Sequence, residues 1–140
     1  MADPVVELNI DPENAFYILI KAREFDEKTA STDPDSGSNP SDDADVDILE
    51  DVADDPTYQE LMAAMESLNE DELYDLIALA WVGRGDFDIS EWDEARKQAA
   101  EMSDQHIPRY LSETPLLSDF LEEGLSQAGY DMDEYEIKHL

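Results

Sequence analysis

The most constraining feature of this sequence is a helix-start signal followed by apolar residues at helical spacing. Asn69 is followed three residues later by Glu72, which is the pattern of a capping box. After it, apolar residues recur at intervals of three and four: Leu73, Leu76, Ile77, Ala80 and Trp81. This spacing places them on one side of a helix, and Gly83 is expected to end it in a left-handed conformation. The pattern therefore predicts an amphipathic α-helix.

Two further helices are expected to begin with an acidic cap followed by proline. Asp11 precedes Pro12, and Asp55 precedes Pro56. Aspartate is a favoured N-cap residue, and proline suits the first helical position because its missing N–H would have no intrahelical partner there. The first of these helices is predicted over residues 12–29.

The remaining segments also favour helices. Starts are expected at Ser90 and at Thr114, which precedes Pro115, and a short helix is predicted over 46–52. The stretch 5–10 alternates apolar and polar residues, but no second stretch offers it a partner strand. We therefore predict an all-α fold, a small bundle of four to six short helices with a mobile acidic loop after the first helix.

The boundaries of the predicted helical region, loop and tail are set by segments that lack large apolar residues. Residues 30–45 contain no apolar side chain larger than alanine, so burial cannot offset the entropy lost on ordering. We interpret them as a mobile acidic loop rich in Ser, Pro and Gly, or alternatively as a segment that orders on a cationic partner. Residues 130–140 are predicted to form an acidic tail, and 1–140 a single helical domain.

The charge balance excludes several classes of partner. The chain has 38 acidic and 8 basic side chains, which gives a net charge of −30. Residues 29–83 contain 16 of the acids and no Lys or Arg. Phosphate contacts need clustered Lys and Arg, so neither direct nucleic-acid binding nor an anionic membrane surface is expected. The N-terminus carries no signal-peptide pattern, and the longest apolar run, 76–82, is far shorter than a membrane span of about 20 residues. We expect a cytoplasmic protein.

The acidic turn that begins at Asp86 has the outline of a calcium-binding loop without its ligands. Counted from Asp86, loop position 6 is Glu91 and position 12 is Lys97. An EF-hand requires Gly and Glu at these two positions. The turn is therefore interpreted as a corner between two helices, capped at Asp88 or Ser90, and a specific calcium site is not predicted.

No other pattern points to catalysis. The chain has no cysteine, and neither His106 nor His139 has another His or Cys at metal-ligand spacing. Carboxylates are so numerous that no pair stands out as a general acid and base. We predict that the chain is not an enzyme and carries no metal and no cofactor.

Aromatic residues near this corner are the best interaction candidates. Trp81 lies on the predicted helical stripe, Phe87 in the corner, and Trp92 in the first turn of the next helix. They are interpreted either as a small core that holds the corner or as a partly exposed patch that anchors a partner. The predicted interaction residues are Trp92, Phe87, Arg84, Asp42 and Asp43.

Several segments resemble one group of proteobacterial proteins. They are KAREFD (21–26), GSNPSDD (37–43), LNEDEL (68–73), LIALAWVGRGDFDISEWDEA (76–95) and PLLSDFLEEGL (115–125). On these residues the chain resembles the domain-of-unknown-function family 3775, and the resemblance extends from about residue 10 to residue 128. The resemblance implies a small, soluble, bacterial and helical protein, and it brings no catalytic residue with it.

The leading functional prediction is a non-enzymatic protein–protein interaction module. Its partner would be a protein recognised through the acidic loop or a groove near Trp92, and a basic surface is the partner chemistry that the charge favours. One alternative is a nucleic-acid mimic that occupies the basic groove of a DNA-binding protein. A second alternative is divalent-cation binding through the acidic loop. The charge is also explained without any partner if it serves to keep the protein soluble in concentrated salt.

Overall fold

The computed structural model describes residues 6–31, 55–102 and 106–133. Within these ranges the chain forms six α-helices, one 3-10 turn and no strand. The helices are α1 (Pro12–Ser31), α2 (Pro56–Glu66), α3 (Glu70–Arg84), α4 (Trp92–Ala99), α5 (Ile107–Ser112) and α6 (Leu117–Ala128), and the 3-10 turn (Ile89–Glu91) precedes α4. For the described residues, the prediction of a small all-α bundle is confirmed.

Some predictions fall on other parts of the chain. The acidic loop predicted over 30–45 lies outside the described residues, except that its first two positions complete α1. The short helix over 46–52 and positions 134–140 of the predicted tail also lie outside them. Tyr130, the first residue of that predicted tail, is anchored: its N–H donates to the Leu125 carbonyl at 2.9 Å and its hydroxyl to the Val6 carbonyl at 3.2 Å.

The helix starts follow the predicted caps. Asp11 accepts a hydrogen bond from the Glu13 N–H at 2.9 Å, and Asp55 accepts one from the Thr57 N–H at 2.7 Å. Before α3, Asn69 and Glu72 exchange two side-chain-to-backbone bonds of 2.9 Å. Each of these bonds satisfies an amide that the first helical turn leaves without an intrahelical partner.

The predicted end of α3 is wrong by two residues. The helix continues through Gly83 to Arg84, and Gly85 adopts the left-handed conformation with φ 96°. Gly83 is needed for a different reason: a Cβ atom there would lie 1.8 Å from the carbonyl oxygen of Phe120 in α6. Close helix packing, which the local sequence does not reveal, therefore accounts for this glycine.

Two predicted starts also shift. The corner is capped by Asp88, whose carboxylate accepts from the Ser90 N–H and hydroxyl, so Ser90 is not the N-cap. The last helix begins at Leu117, two residues after Pro115. The Thr114 hydroxyl instead donates to the Tyr110 carbonyl at the end of α5. The corner therefore takes its cap from the residue two positions earlier, whereas the last helix begins without a side-chain cap.

Helix α3 forms the centre of the bundle. The sequence pattern predicts one apolar stripe, yet Ala78, Leu79 and Val82, outside that stripe, are buried as well. In contrast, Trp81 is only half-buried. A helix covered on most sides by others is buried nearly all round, and α3 contacts α4, α5 and α6.

The closest packing joins α3 and α6, which run antiparallel. Gly83 faces the backbone of Phe120, and one turn away Gly124 faces the backbone of Leu79, where a Cβ atom would lie 2.1 Å from the carbonyl oxygen. Because neither glycine has a side chain, the two helix backbones come into direct contact. This contact holds the C-terminal end of α3, and the acidic turn that begins at Asp86, next to α6.

Candidate functional site

Four residues from three elements meet at the C-terminal end of α3, and we call them the aromatic corner: Trp81, Arg84, Phe87 and Tyr110. The rings of Trp81 and Phe87 lie 5.9 Å apart between centroids at an interplanar angle of 34°. The Trp81 indole N–H donates to the Tyr110 hydroxyl at 3.1 Å, and the Arg84 guanidinium approaches the same oxygen at 3.5 Å. Trp81, Phe87 and Tyr110 are all half-buried.

The Tyr110 hydroxyl accepts in both of these contacts. A phenolic hydroxyl also carries one donor proton, which neither contact uses. The aromatic corner thus combines partly exposed ring surface with an O–H group that can donate to a carbonyl or carboxylate. Such amphipathic residues are enriched at the energetically important positions of protein interfaces.

The single cation of the corner is bound internally. Arg84 pairs with Asp86, its Nη2 lying 2.5 Å from the carboxylate oxygen, and both side chains are partly exposed. The hydrogen bond from Arg84 to Asp86 raises the pKa of the guanidinium against the opposing effect of burial. Residues 84–94 contain five acids against this one cation, so the rim of the corner is negative.

One rim carboxylate is held ionised by its cap geometry. Asp88 accepts hydrogen bonds from the Ser90 N–H at 2.9 Å and from the Ser90 hydroxyl at 2.7 Å. These bonds favour the charged form and lower the pKa of Asp88. The negative charge beside the aromatic rings therefore persists to lower pH than that of an ordinary aspartate.

The predicted interaction residues separate into three groups. Phe87 and Arg84 lie in the aromatic corner, as described above. Trp92 is 6% exposed and belongs to the core, where it presents little surface to a partner. Asp42 and Asp43 lie outside the described residues.

The structure adds a buried ionic network that the sequence reasoning did not identify. Asp75 in α3 is fully buried, and its Oδ1 lies 2.6 Å from Nε of Arg96 in α4 as an ion pair without hydrogen-bond geometry. Its Oδ2 accepts from the backbone N–H groups of Asn9 and Ile10, the latter at 3.1 Å. Asp75 thus joins α3, α4 and the segment before α1. The sequence signal is that Asp75 is the single acid in the otherwise apolar segment 73–82 of α3.

The described residues form neither a metal-binding cluster nor a membrane-spanning helix. In that part of the chain no group of three His, Cys, Asp or Glu side chains could hold a metal ion. Nor does any helix there have the length and apolar character required to cross a membrane.

The fold and the aromatic corner together define a small acidic helical protein. The family described as "Protein of unknown function (DUF3775)" matches residues 58–130, which is more than half of the chain. The chain belongs to this family. The match includes the aromatic corner and Asp75 but neither α1 nor the segments 21–26 and 37–43. No curated protein and no solved structure is significantly similar to the chain.

Proposed function

We propose that this protein is a non-enzymatic interaction module that binds a basic protein surface through the aromatic corner. The observation that carries the proposal is the combination of half-buried aromatic rings with a rim of exposed carboxylates. Burial of Trp81 and Phe87 against a partner would supply apolar contact area, and their faces attract Lys and Arg side chains. The negative rim complements such cations and disfavours acidic partners.

Geometry favours this corner over the predicted anchor Trp92. Trp92 is almost fully buried, so truncating it would create a cavity in the core before it removed a partner contact. Phe87 is only half-buried and follows the left-handed Gly85 at the end of α3. A change at Phe87 therefore alters the surface of the corner while the helices that support it keep their own contacts.

The experiment is affinity purification from cell lysate with the full chain as bait, washed at low and at high salt. Wild type is compared with Phe87→Ala and with the control Tyr17→Ala, because Tyr17 is a 41% exposed aromatic residue on α1. We expect a basic protein that is retained by wild type and by Tyr17→Ala and lost with Phe87→Ala. Thermal melts followed by circular dichroism establish that all three proteins are folded at the purification temperature.

Two outcomes would refute the proposal. One is a partner that is retained equally by wild type and Phe87→Ala, which would locate binding elsewhere. The other is a set of partners without basic surfaces. A DNA-binding protein whose nucleic-acid groove is occupied, with no effect of Phe87→Ala, would favour the nucleic-acid mimic instead.

A further inference from the structure

Leu116 combines two features that are unfavourable for the stability of a monomer. Its backbone is left-handed, with φ 60° and ψ 27°, and it is the single non-glycine residue with positive φ in the described ranges. The residue is 57% exposed, more than Tyr17 at 41%, the other exposed large hydrophobic residue in the described ranges. A left-handed conformation is costly for a residue with a bulky Cβ substituent, and exposure leaves its apolar surface in water. Outliers of this kind cluster at binding sites.

The position of Leu116 links it to the aromatic corner. Along the antiparallel pair of α3 and α6, Leu79 faces Gly124 and Gly83 faces Phe120. Leu116 lies one further turn before Phe120, whose N–H donates to the Leu116 carbonyl at 3.1 Å. The same register therefore places Leu116 at the end of the bundle where α3 stops. The 3-10 turn that follows Phe87 also packs against α6 at this end.

The charges around Leu116 indicate the chemistry of its partner. Glu113 and Asp119, three residues to either side, each pair with an arginine of the chain, Glu113 with Arg109 at 3.1 Å and Asp119 with Arg23 at 3.4 Å. The excess negative charge at this end of the bundle is therefore that of residues 84–94, which contain five acids and one cation. An apolar side chain beside this excess of carboxylates complements a segment in which an apolar residue is flanked by Lys or Arg. A second copy of this chain is a poor occupant, since it would bring carboxylates against carboxylates at a net charge of −30 per copy.

We propose that Leu116 is an apolar anchor that extends the aromatic corner, and that the partner is a cationic amphipathic protein segment with an apolar residue between Lys or Arg residues. This inference rests on the proposed function and names the chemistry of its partner. Leu116 would pack against the apolar residue of the partner segment, while the rim carboxylates contact the flanking cations. Its left-handed backbone projects the side chain from a fixed position, so little flexibility is lost on binding.

The decisive variant is Leu116→Asn, because asparagine tolerates the left-handed conformation and is polar. Selection of a random peptide library displayed on phage against wild type supplies the probe, and enriched synthetic peptides are then measured by fluorescence anisotropy. We expect enriched peptides to contain an apolar residue flanked by Lys or Arg. Leu116→Asn should weaken their binding at least about tenfold, as loss of a hot-spot residue does, while its melting temperature stays equal to or above that of wild type. Tyr17→Asn is the matched control and should bind like wild type.

The outcomes separate this inference from the proposed function. Full binding by Leu116→Asn together with loss in Phe87→Ala overturns the anchor and leaves the aromatic corner in place. A marked drop in the melting temperature of Leu116→Asn also overturns the anchor, because Leu116 would then be a packing residue. Full binding by both variants, or no enriched peptide on wild type, overturns both proposals.

Discussion

Removing Arg96 tests whether the buried Asp75 network holds the bundle together. In Arg96→Met the side chain keeps an apolar stem of similar length, but Asp75 loses the cation 2.6 Å from its Oδ1. Breaking a buried pair by removing one partner typically costs about 3–5 kcal/mol, because a charge is left in a medium of low polarity. Asp75 keeps two backbone donors, and Arg96 is 26% exposed, so the lower end of that range applies.

We therefore expect Arg96→Met to lower the free energy of unfolding by about 3 kcal/mol. Urea unfolding followed by circular dichroism measures this directly. For a small protein whose urea dependence is about 1–3 kcal/mol per molar, the midpoint should fall by about 1–3 M.

Arg109→Met is the matched control. Arg109 pairs with Glu113 at 3.1 Å, but the two side chains are 74% and 57% exposed. Both variants change the net charge from −30 to −31, so long-range repulsion increases equally. Exposed pairs contribute about 0–1 kcal/mol, and the control should lose no more than that. A loss below about 1 kcal/mol in Arg96→Met, or equal losses in the two variants, would refute the reasoning.

A double-mutant cycle with Asp75→Asn isolates the pair. Asparagine can still accept from the Asn9 and Ile10 amides, and it carries no charge that Arg96 has to compensate. If the cost of Arg96→Met arises from the uncompensated Asp75 charge, it should fall by at least about 1 kcal/mol in the Asp75→Asn background. Additive losses would instead assign the cost to the other contacts of Arg96, its hydrogen bond to the Asp71 carbonyl at 3.2 Å and its ion pair with the Asp71 carboxylate at 3.6 Å.

Three further predictions concern packing, pH and salt. Gly124→Ala should lower the free energy of unfolding in urea by at least about 3 kcal/mol, because its Cβ would lie 2.1 Å from the Leu79 carbonyl oxygen. Gly85→Ala has open space around its Cβ and should cost about 1–2 kcal/mol for its left-handed backbone. Equal costs would contradict the close packing. Burial raises the pKa of Asp26 above 3.8 despite the Ser118 hydrogen bond, so the stability linked to its protonation is present below pH 3.8 and lost as pH rises through the raised value. Asp26→Asn should therefore stabilise the protein at pH 7, with the gain vanishing below pH 3.8 in melts at both pH values; destabilisation at pH 7 would contradict this. Added NaCl should raise the melting temperature by screening the net charge of −30, and an unchanged or lower value would exclude salt adaptation as the reason for the charge.

Helix starts could be predicted from the sequence because their determinants are local. The caps at Asp11, Asp55 and Asn69 each bond to an amide within three residues, so short patterns contain all the relevant atoms. The helix end at Gly83 could not be predicted in the same way. Gly83 and Gly85 are both glycines that suit a helix end, and the reason for a glycine at 83 is the backbone of Phe120, a residue of another helix.

In the candidate site, too, residues with local determinants could be predicted and residues placed by tertiary contacts could not. Phe87 and Arg84 were identified because turn chemistry and aromatic residues coincide in a short segment. Tyr110 joins the corner only through the tertiary contact between α3 and α5. No local pattern predicts a left-handed leucine at 116, since that conformation is imposed by the connection between α5 and α6.

Charge and apolar surface should control different steps of binding. In the described residues Lys21, Arg23, Arg84, Arg96 and Arg109 all form ion pairs within the chain, so the field around the protein comes from its excess carboxylates. Long-range attraction of this kind accelerates encounter with a cationic partner and weakens as salt is added.

Leu116 and the aromatic corner act only after contact, because burial of apolar surface requires the partner to be in place. Stopped-flow binding of an enriched basic peptide should therefore show association slowed by added salt in wild type and Leu116→Asn alike. The variant should differ from wild type through faster dissociation, by at least about tenfold. If Leu116→Asn instead slowed association and left dissociation unchanged, Leu116 would not be an anchor, and the carboxylates alone would account for binding.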